Sequence, residues 1–172
     1  MPNQDSQLKL NHFKIPHLPM IVREAFAVYS SSHEEVGHMT VSHLADCAHL
    51  PIKGVLERLQ AIETMAETSE ISVHELKALL DSGKKNVFLL DVRERWEFDI
   101  CRIEGSMLMA KLDLAQIFPG LKEFEVITIC HHGVRSLSTA FYLKEAGLPR
   151  VRSLTGGTDA WSQLIDTSMP RY

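Results

Sequence analysis

The stretch EVITICHHGVRS, at residues 125–136, decides the fold. Residues 125–130 are mostly β-branched or apolar, as in a strand that is buried on both faces. Residues 131–134 form a short loop, and residues 135–146 have the pattern of a helix that ends at Gly147. A strand followed by a loop and a helix is the repeating unit of a parallel sheet covered by helices.

The same alternation continues on both sides of this stretch. Ser72 and Glu75 have the spacing of a capping box that opens a helix, and Gly83 is placed to stop it. Further short strands are predicted at residues 87–92, 106–109 and 151–154, and further helices at residues 112–118 and around Trp161. The predicted fold class is therefore α/β, with a parallel sheet flanked by helices.

The first third of the chain has a different character. It holds six of the nine histidines and no clear strand, and its apolar residues recur at helical spacing. Helices are predicted at residues 20–29, 41–47 and 51–63, the second capped by Thr40 and the third opened by Pro51. We therefore predict a small all-helical module at residues 1–65 and an α/β domain at residues 66–172, with a junction at residues 64–69.

Composition excludes several classes of protein. The 172 residues are 45% hydrophobic and 23% charged, with a net charge of −4, which is typical of a globular protein and not of a basic nucleic-acid binder. No apolar run is long enough to span a bilayer, and residues 1–14 are too polar for a secretory signal. Three scattered cysteines do not make a disulfide framework. We expect a cytoplasmic protein.

Cys130 is the candidate nucleophile. Ligands of open parallel sheets bind beyond the carboxyl ends of the strands, which is where Cys130 is predicted to lie. Backbone N–H groups of the loop and of the next helix point to that position and favour an anionic sulfur. Gly133 permits a tight turn, Arg135 adds a planar cation suited to an oxyanion, and Ser136 adds a hydrogen-bond donor. These residues predict a nucleophilic cysteine that acts on anionic substrates.

Four segments occur in a characteristic order. They are DVRE at 91–94 with Glu97-Phe98, IEGS at 103–106, CHHGVRS at 130–136, and GGTDAW at 156–161. Together they resemble the motifs of the rhodanese family of sulfurtransferases, over about residues 70–172. The resemblance implies a rhodanese-like fold in which Cys130 takes a sulfane sulfur from a small donor and becomes a persulfide. A thiol, cyanide or a protein acceptor then removes that sulfur.

The resemblance also assigns the loop after the cysteine to the binding of the outer sulfur and the substrate. The loop residues are His131, His132, Gly133, Val134, Arg135 and Ser136. The spacing C-x₄-R is one residue shorter than the C-x₅-R loop of the similar cysteine phosphatases, which favours sulfur over phosphate chemistry. No cofactor and no metal is expected.

Several residues near these motifs allow two interpretations of their role. Asp91 and Arg93 either contact the substrate or, as we expect, form a structural ion pair beneath the loop. Cys101 and Arg102 stand where the family often has a Gly-His pair, and we expect Cys101 to be a packed cysteine and not a resolving thiol. His131 and His132 either exchange protons or, as we expect, point to solvent.

The N-terminal segment carries two further hypotheses. Histidines and acidic residues crowd residues 33–49 at irregular spacing, so we expect solvated side chains and not a metal site. Residues 40–63 resemble a helix-turn-helix, but Lys53 and Arg58 alone are basic in its second helix. Packing or homodimerisation is therefore favoured over DNA binding. The alternative function is a regulator that senses reactive sulfur and binds DNA or a protein partner through these helices.

Overall fold

The structure, a computed structural model, describes residues 4–15, 18–28 and 33–172. The chain divides into two compact units, Met1–Glu67 and Thr68–Tyr172. No helix within the described ranges is long and apolar enough to cross a membrane.

The N-terminal unit is helical, as predicted. Two short 3₁₀ turns, Gln4–Gln7 and Leu10–His12, precede the helices α1 (Leu18–Phe26), α2 (His33–His38), α3 (Val41–Ala48) and α4 (Ile52–Thr68). Thr40 caps α3, because its Oγ1 accepts the backbone N–H of His43 at 3.1 Å. The first predicted helix extended to Tyr29, which lies outside the described residues. The observed α1 ends at Phe26, before Ala27 adopts a left-handed φ of 54°.

Helix α4 is longer than predicted. It continues through most of the stretch 64–69, where a junction was expected, and ends at Thr68. The junction was predicted from a change in composition, but the apolar stripe of the helix extends one turn further. Its buried members are Val55, Leu59, Ile62 and Ala66.

Both basic side chains considered for DNA contact have partners within their own unit. The Lys53 Nζ atom lies 3.7 Å from a carboxylate oxygen of Glu57, one turn along α4. The guanidinium of Arg58 lies 5.6 Å from the centre of the Phe26 ring. The Arg58 contact joins α4 to α1, whereas the side chain of Lys53 is 87% exposed and takes no part in packing.

The C-terminal unit contains a five-stranded parallel sheet flanked by helices, which confirms the predicted fold class. Its strands are β1 (Glu70–Ile71), β2 (Val87–Asp91), β3 (Met107–Leu108), β4 (Glu125–Ile129) and β5 (Val151–Leu154), in the spatial order β1-β5-β4-β2-β3. Its helices are α5 (Val73–Asp81), α6 (Arg95–Ile100), α7 (Leu114–Leu121), α8 (Val134–Glu145) and α9 (Gly157–Leu164).

Two elements of this unit were missed from sequence. Strand β1 has two residues and α6 has six, so neither is long enough to show a hydrophobic period. The predicted capping box at the start of α5 is confirmed, because the Ser72 hydroxyl and the Glu75 carboxylate each accept a backbone N–H of the other residue.

The central strand β4 is apolar because both of its faces are buried. Ile127 and Ile129 join one core cluster, which includes Leu76 of α5 and Trp161 of α9. Val126 faces the opposite cluster, which includes residues of α7 and α8. Because all the strands are parallel, the carboxyl ends of β2, β4 and β5 meet at one edge of the sheet. Three of the four motifs, at 91–94, 130–136 and 156–161, lie at or directly after these strand ends.

Candidate active site

Cys130 follows β4 directly and is only 1% exposed. The backbone N–H of Gly133 donates to its Sγ at 3.1 Å, and the Ser136 hydroxyl lies 3.3 Å from the same atom. Gly133 adopts a φ of 94°, and α8 begins at the next residue. The turn therefore brings a backbone donor and a hydroxyl to the sulfur, an arrangement that stabilises negative charge there.

A second hydroxyl continues this network. The Ser153 Oγ of β5 lies 2.8 Å from the Ser136 Oγ and 3.4 Å from the carbonyl oxygen of Gly133, and both serines are completely buried. When the Ser136 hydroxyl donates a hydrogen bond to an anionic sulfur, its oxygen can accept a hydrogen bond from the Ser153 hydroxyl. Sequence analysis missed Ser153. The available signal was a small polar residue between Arg152 and Leu154 near the carboxyl end of a short predicted strand.

The GGTDAW motif packs directly against the cysteine loop. Gly157 has a φ of 59°, and a Cβ there would overlap the carbonyl oxygens of Cys130 and His131. The backbone N–H groups of Thr158 and Asp159 donate to those same oxygens at 2.9 and 3.0 Å. The first turn of α9 thus holds the loop by two hydrogen bonds that require glycine at position 157.

Arg135 is bound to a carboxylate in this structure. Its two terminal nitrogens donate to the two oxygens of Glu97 on α6, at 2.7 and 2.6 Å. Glu97 also accepts the backbone N–H of Glu94 at 2.9 Å and the hydroxyl of Tyr172 at 2.9 Å. The hydrogen bonds from Arg135, helped by those from Glu94 and Tyr172, lower the pKa of Glu97 to about 2. An anionic donor would have to share or displace Glu97 to reach the guanidinium.

Asp91 and Arg93 form the buried ion pair that was expected. Their closest atoms lie 2.7 Å apart, and both side chains are completely buried. The Arg93 guanidinium also donates to the carbonyl oxygen of Cys101 at 2.7 Å and to the Tyr172 hydroxyl at 2.9 Å. Arg93 therefore links the ends of α6 and β2 to Tyr172.

Tyr172 covers one side of the loop. The centre of its ring lies 4.4 Å from the centre of the His131 ring, and the centres of the His131 and His132 rings are 4.0 Å apart. Burial raises the pKa of Tyr172 to about 12, so the hydroxyl keeps its proton. Burial, together with the charge of His132, lowers the pKa of His131. His132 points to solvent as expected, whereas His131 is half-buried against Tyr172. Sequence analysis missed Tyr172, which belongs to none of the motifs.

The remaining candidates lie in the core. Cys101 is 7% exposed, and its Sγ lies 3.8 Å from a terminal nitrogen of Arg93. Trp161 is buried in the same cluster as Cys101. The histidine-rich stretch at residues 33–49 includes His33 and Glu34, whose side chains lie outside the described part of the chain.

Comparison with known proteins identifies the family. Residues 72–164 match the model of the rhodanese-like domain. The thiosulfate sulfurtransferase GlpE of Pseudoalteromonas translucida is 33% identical over 103 residues, which are 59% of this chain and 95% of the relative. A protein of unknown function from Rhodopseudomonas palustris has a similar fold, with a TM-score of 0.52 and 21% identity, over 67% of this chain and 92% of that chain.

The chain therefore belongs to the rhodanese-like domain family. Larger relatives also match. The adenylyltransferase and sulfurtransferase MOCS3 of Culex quinquefasciatus is 30% identical over 127 residues, which are 64% of this chain but 28% of the relative. The chain thus spans about a third or less of the length of such relatives.

Proposed function

We propose that this protein transfers a sulfane sulfur through a persulfide on Cys130. The observation that carries this proposal is the placement of the Cys130 sulfur, which is buried at the carboxyl edge of the sheet with the Gly133 N–H at 3.1 Å and the Ser136 hydroxyl at 3.3 Å. A lone packed cysteine does not need a glycine turn, a helix start and a buried hydroxyl around its sulfur.

The reaction has two displacement steps. In the first, the Cys130 thiolate attacks the outer sulfur of a donor such as thiosulfate. The donor S–S bond breaks, its electron pair leaves on sulfite, and Cys130 becomes an anionic persulfide. In the second, the thiolate or cyanide acceptor attacks the outer sulfur, and Cys130 leaves as the thiolate. Sulfur and electrons balance over the cycle, so no cofactor takes part.

The residues around the loop have separate roles in this proposal. Gly133 and the neighbouring residues His131, His132 and Val134 form the backbone cradle of the persulfide. Ser136 supports the inner sulfur. Arg135 meets an anionic donor when Glu97 shares its guanidinium. Asp91 and Arg93 do not touch the sulfur and hold the loop in place from below.

The test is the intact mass of the protein before and after incubation with thiosulfate or a polysulfide. We expect the gain of one sulfur atom, which cyanide or a reducing thiol removes. Cys130→Ser should abolish the gain. Cys101→Ser is the matched control, because Cys101 is also buried and lies in the same unit. Equal loss of the added sulfur in both variants would overturn the assignment of Cys130 as the nucleophile.

The regulator hypothesis has less support. Only two basic residues, Lys53 and Arg58, lie in α4, and Lys53 has the carboxylate of Glu57 one turn away at 3.7 Å, which is a weak basis for binding phosphates. The acceptor that we propose is a small thiol, cyanide or a protein.

A further inference from the structure

Two histidines of the cysteine loop and one carboxylate of α9 lie unusually close together. A ligand atom from each of His131, His132 and Asp159 falls within 4.8 Å of the other two. Among the residues that the structure describes, no other group of three histidine, cysteine or acidic side chains is close enough to hold a metal ion. It is separate from the histidine-rich stretch at residues 33–49, where the sequence predicted solvated side chains and no metal site.

Two of the three side chains, His131 and Asp159, are held by further hydrogen bonds, and the His132 ring lies against that of His131. The Asp159 N–H donates to the carbonyl oxygen of His131 at 3.0 Å, which ties the loop to α9. The carboxylate of Asp159 accepts Gln163 Nε2 at 2.7 Å on one oxygen and Arg171 at 3.0 Å on the other. The Thr158 hydroxyl lies 3.5 Å from Nδ1 of His131. Such contacts orient the ligands of metal sites.

We propose that His131, His132 and Asp159 form a binding site for a divalent cation of borderline softness, represented by Zn²⁺. Imidazole nitrogens and a carboxylate oxygen are its usual ligands, at about 2.0–2.2 Å, and three protein ligands leave one coordination position open. A tetrahedral ion separates its donor atoms by roughly 3.3 Å, so small side-chain rotations close the present arrangement.

The charges also suit a divalent cation. Two neutral imidazoles and one carboxylate leave a bound Zn²⁺ with one net positive charge. The neighbouring cation, Arg171, opposes binding, but its side chain is 57% exposed and can turn into solvent. The opposing cost is therefore the loss of one ion pair whose cationic partner is mostly exposed, and such pairs contribute little stability in water.

Occupation of this site would affect the cysteine next to it. His131 and His132 follow Cys130 directly in sequence, so an ion that joins them to Asp159 would fix the loop and its outer face. This consequence rests on the proposed sulfur transfer. We expect bound Zn²⁺ to slow the loading of sulfur onto Cys130. Binding of the ion does not require that transfer occurs.

The binding test is equilibrium dialysis of the full chain against Zn²⁺ in a buffer that does not chelate metals. The parent protein for this test carries both Cys47→Ser and Cys130→Ser, so that neither the exposed thiol nor the nucleophile can hold the ion. In this parent, His132→Ala and Asp159→Asn should each weaken Zn²⁺ binding at least 10-fold, since even partners of metal ligands contribute about 10–100-fold to affinity.

Matched controls come from the same unit. His74→Ala removes an exposed histidine of α5, and Asp166→Asn removes a carboxylate outside the three. Both should bind Zn²⁺ like the parent. Equal affinity in all four variants, or loss of all binding in the parent, would overturn the site. For the protein with Cys130 intact, the ratio of sulfur-loading rates with and without Zn²⁺ is measured. If Zn²⁺ binds at the site but this ratio stays at one, the inhibition is wrong and the site stands.

Discussion

Glu97 should contribute a large and pH-dependent part of the stability of the C-terminal unit. Its side chain is 5% exposed and accepts two hydrogen bonds from Arg135, one from the backbone of Glu94 and one from Tyr172. Glu97→Gln removes the charge and leaves a side chain of the same size. The substitution therefore measures the ion pair with little change in packing.

The magnitude follows from the pKa of Glu97. The folded protein lowers this pKa from 4.5 to about 2, mainly through Arg135. At about 1.4 kcal/mol for each pKa unit, the ionised carboxylate stabilises the native state by roughly 3 kcal/mol. Because the folded pKa is the lower one, this contribution is complete above pH 4.5 and is lost as the pH falls towards 2. At pH 3 less than half of it should remain.

The assay is urea unfolding followed by tryptophan fluorescence between pH 7 and pH 3. Both tryptophans, Trp96 and Trp161, belong to the C-terminal unit, so the signal reports that unit. Glu97→Gln should lower the free energy of unfolding by roughly 3 kcal/mol at pH 7, and by less than half of that at pH 3.

Asp99→Asn is the matched control on the same helix. Asp99 pairs with Arg95 at 2.7 Å, but the two side chains are 51% and 65% exposed, so its removal should cost at most about 0.5 kcal/mol. If the two variants lose equal stability, or if the loss in Glu97→Gln does not change with pH, the assigned role of the Arg135 pair is refuted.

Two further predictions concern the loop. Ser153→Ala removes the hydroxyl that supports Ser136, and it should slow alkylation of Cys130 by iodoacetamide at pH 7 about 5-fold, as expected for a hydrogen bond worth about 1 kcal/mol. The buried control Ser162→Ala should not slow it, and an equal effect would show that Ser153 acts only through packing. A Cβ at Gly105 would have no atom within 4 Å, so Gly105→Ala tests the positive φ alone and should lower the free energy of unfolding in urea by about 1 kcal/mol. Gly157→Ala has a similar φ but would overlap two carbonyl oxygens, so it should cost several times more, and similar costs would mean that the loop moves aside freely.

The sequence was sufficient for the elements that are long or chemically marked. The apolar run of β4 and the capping box of α5 were predicted correctly, because their signals lie within a few neighbouring residues. The order of the four motifs was likewise enough for the family. The buried pair of Asp91 and Arg93 was expected from two residues that lie close together in sequence.

Other features depend on residues that are distant along the chain. Glu97 and Arg135 are 38 residues apart, Ser136 and Ser153 are 17 apart, and Tyr172 lies 75 residues from Glu97. No local period or motif relates these pairs. They meet because parallel strands bring the chain back to the same edge of the sheet after each helix.

The sequence by itself thus determined the class of fold, the nucleophile candidate and the length of its loop, since each is a property of contiguous residues. Only the tertiary structure decided which carboxylate holds Arg135, which hydroxyl supports Ser136 and which side chains surround His131. The physical reason is that hydrogen bonds and ion pairs act over about 3 Å in space, and the chain reaches those distances only after the sheet has assembled.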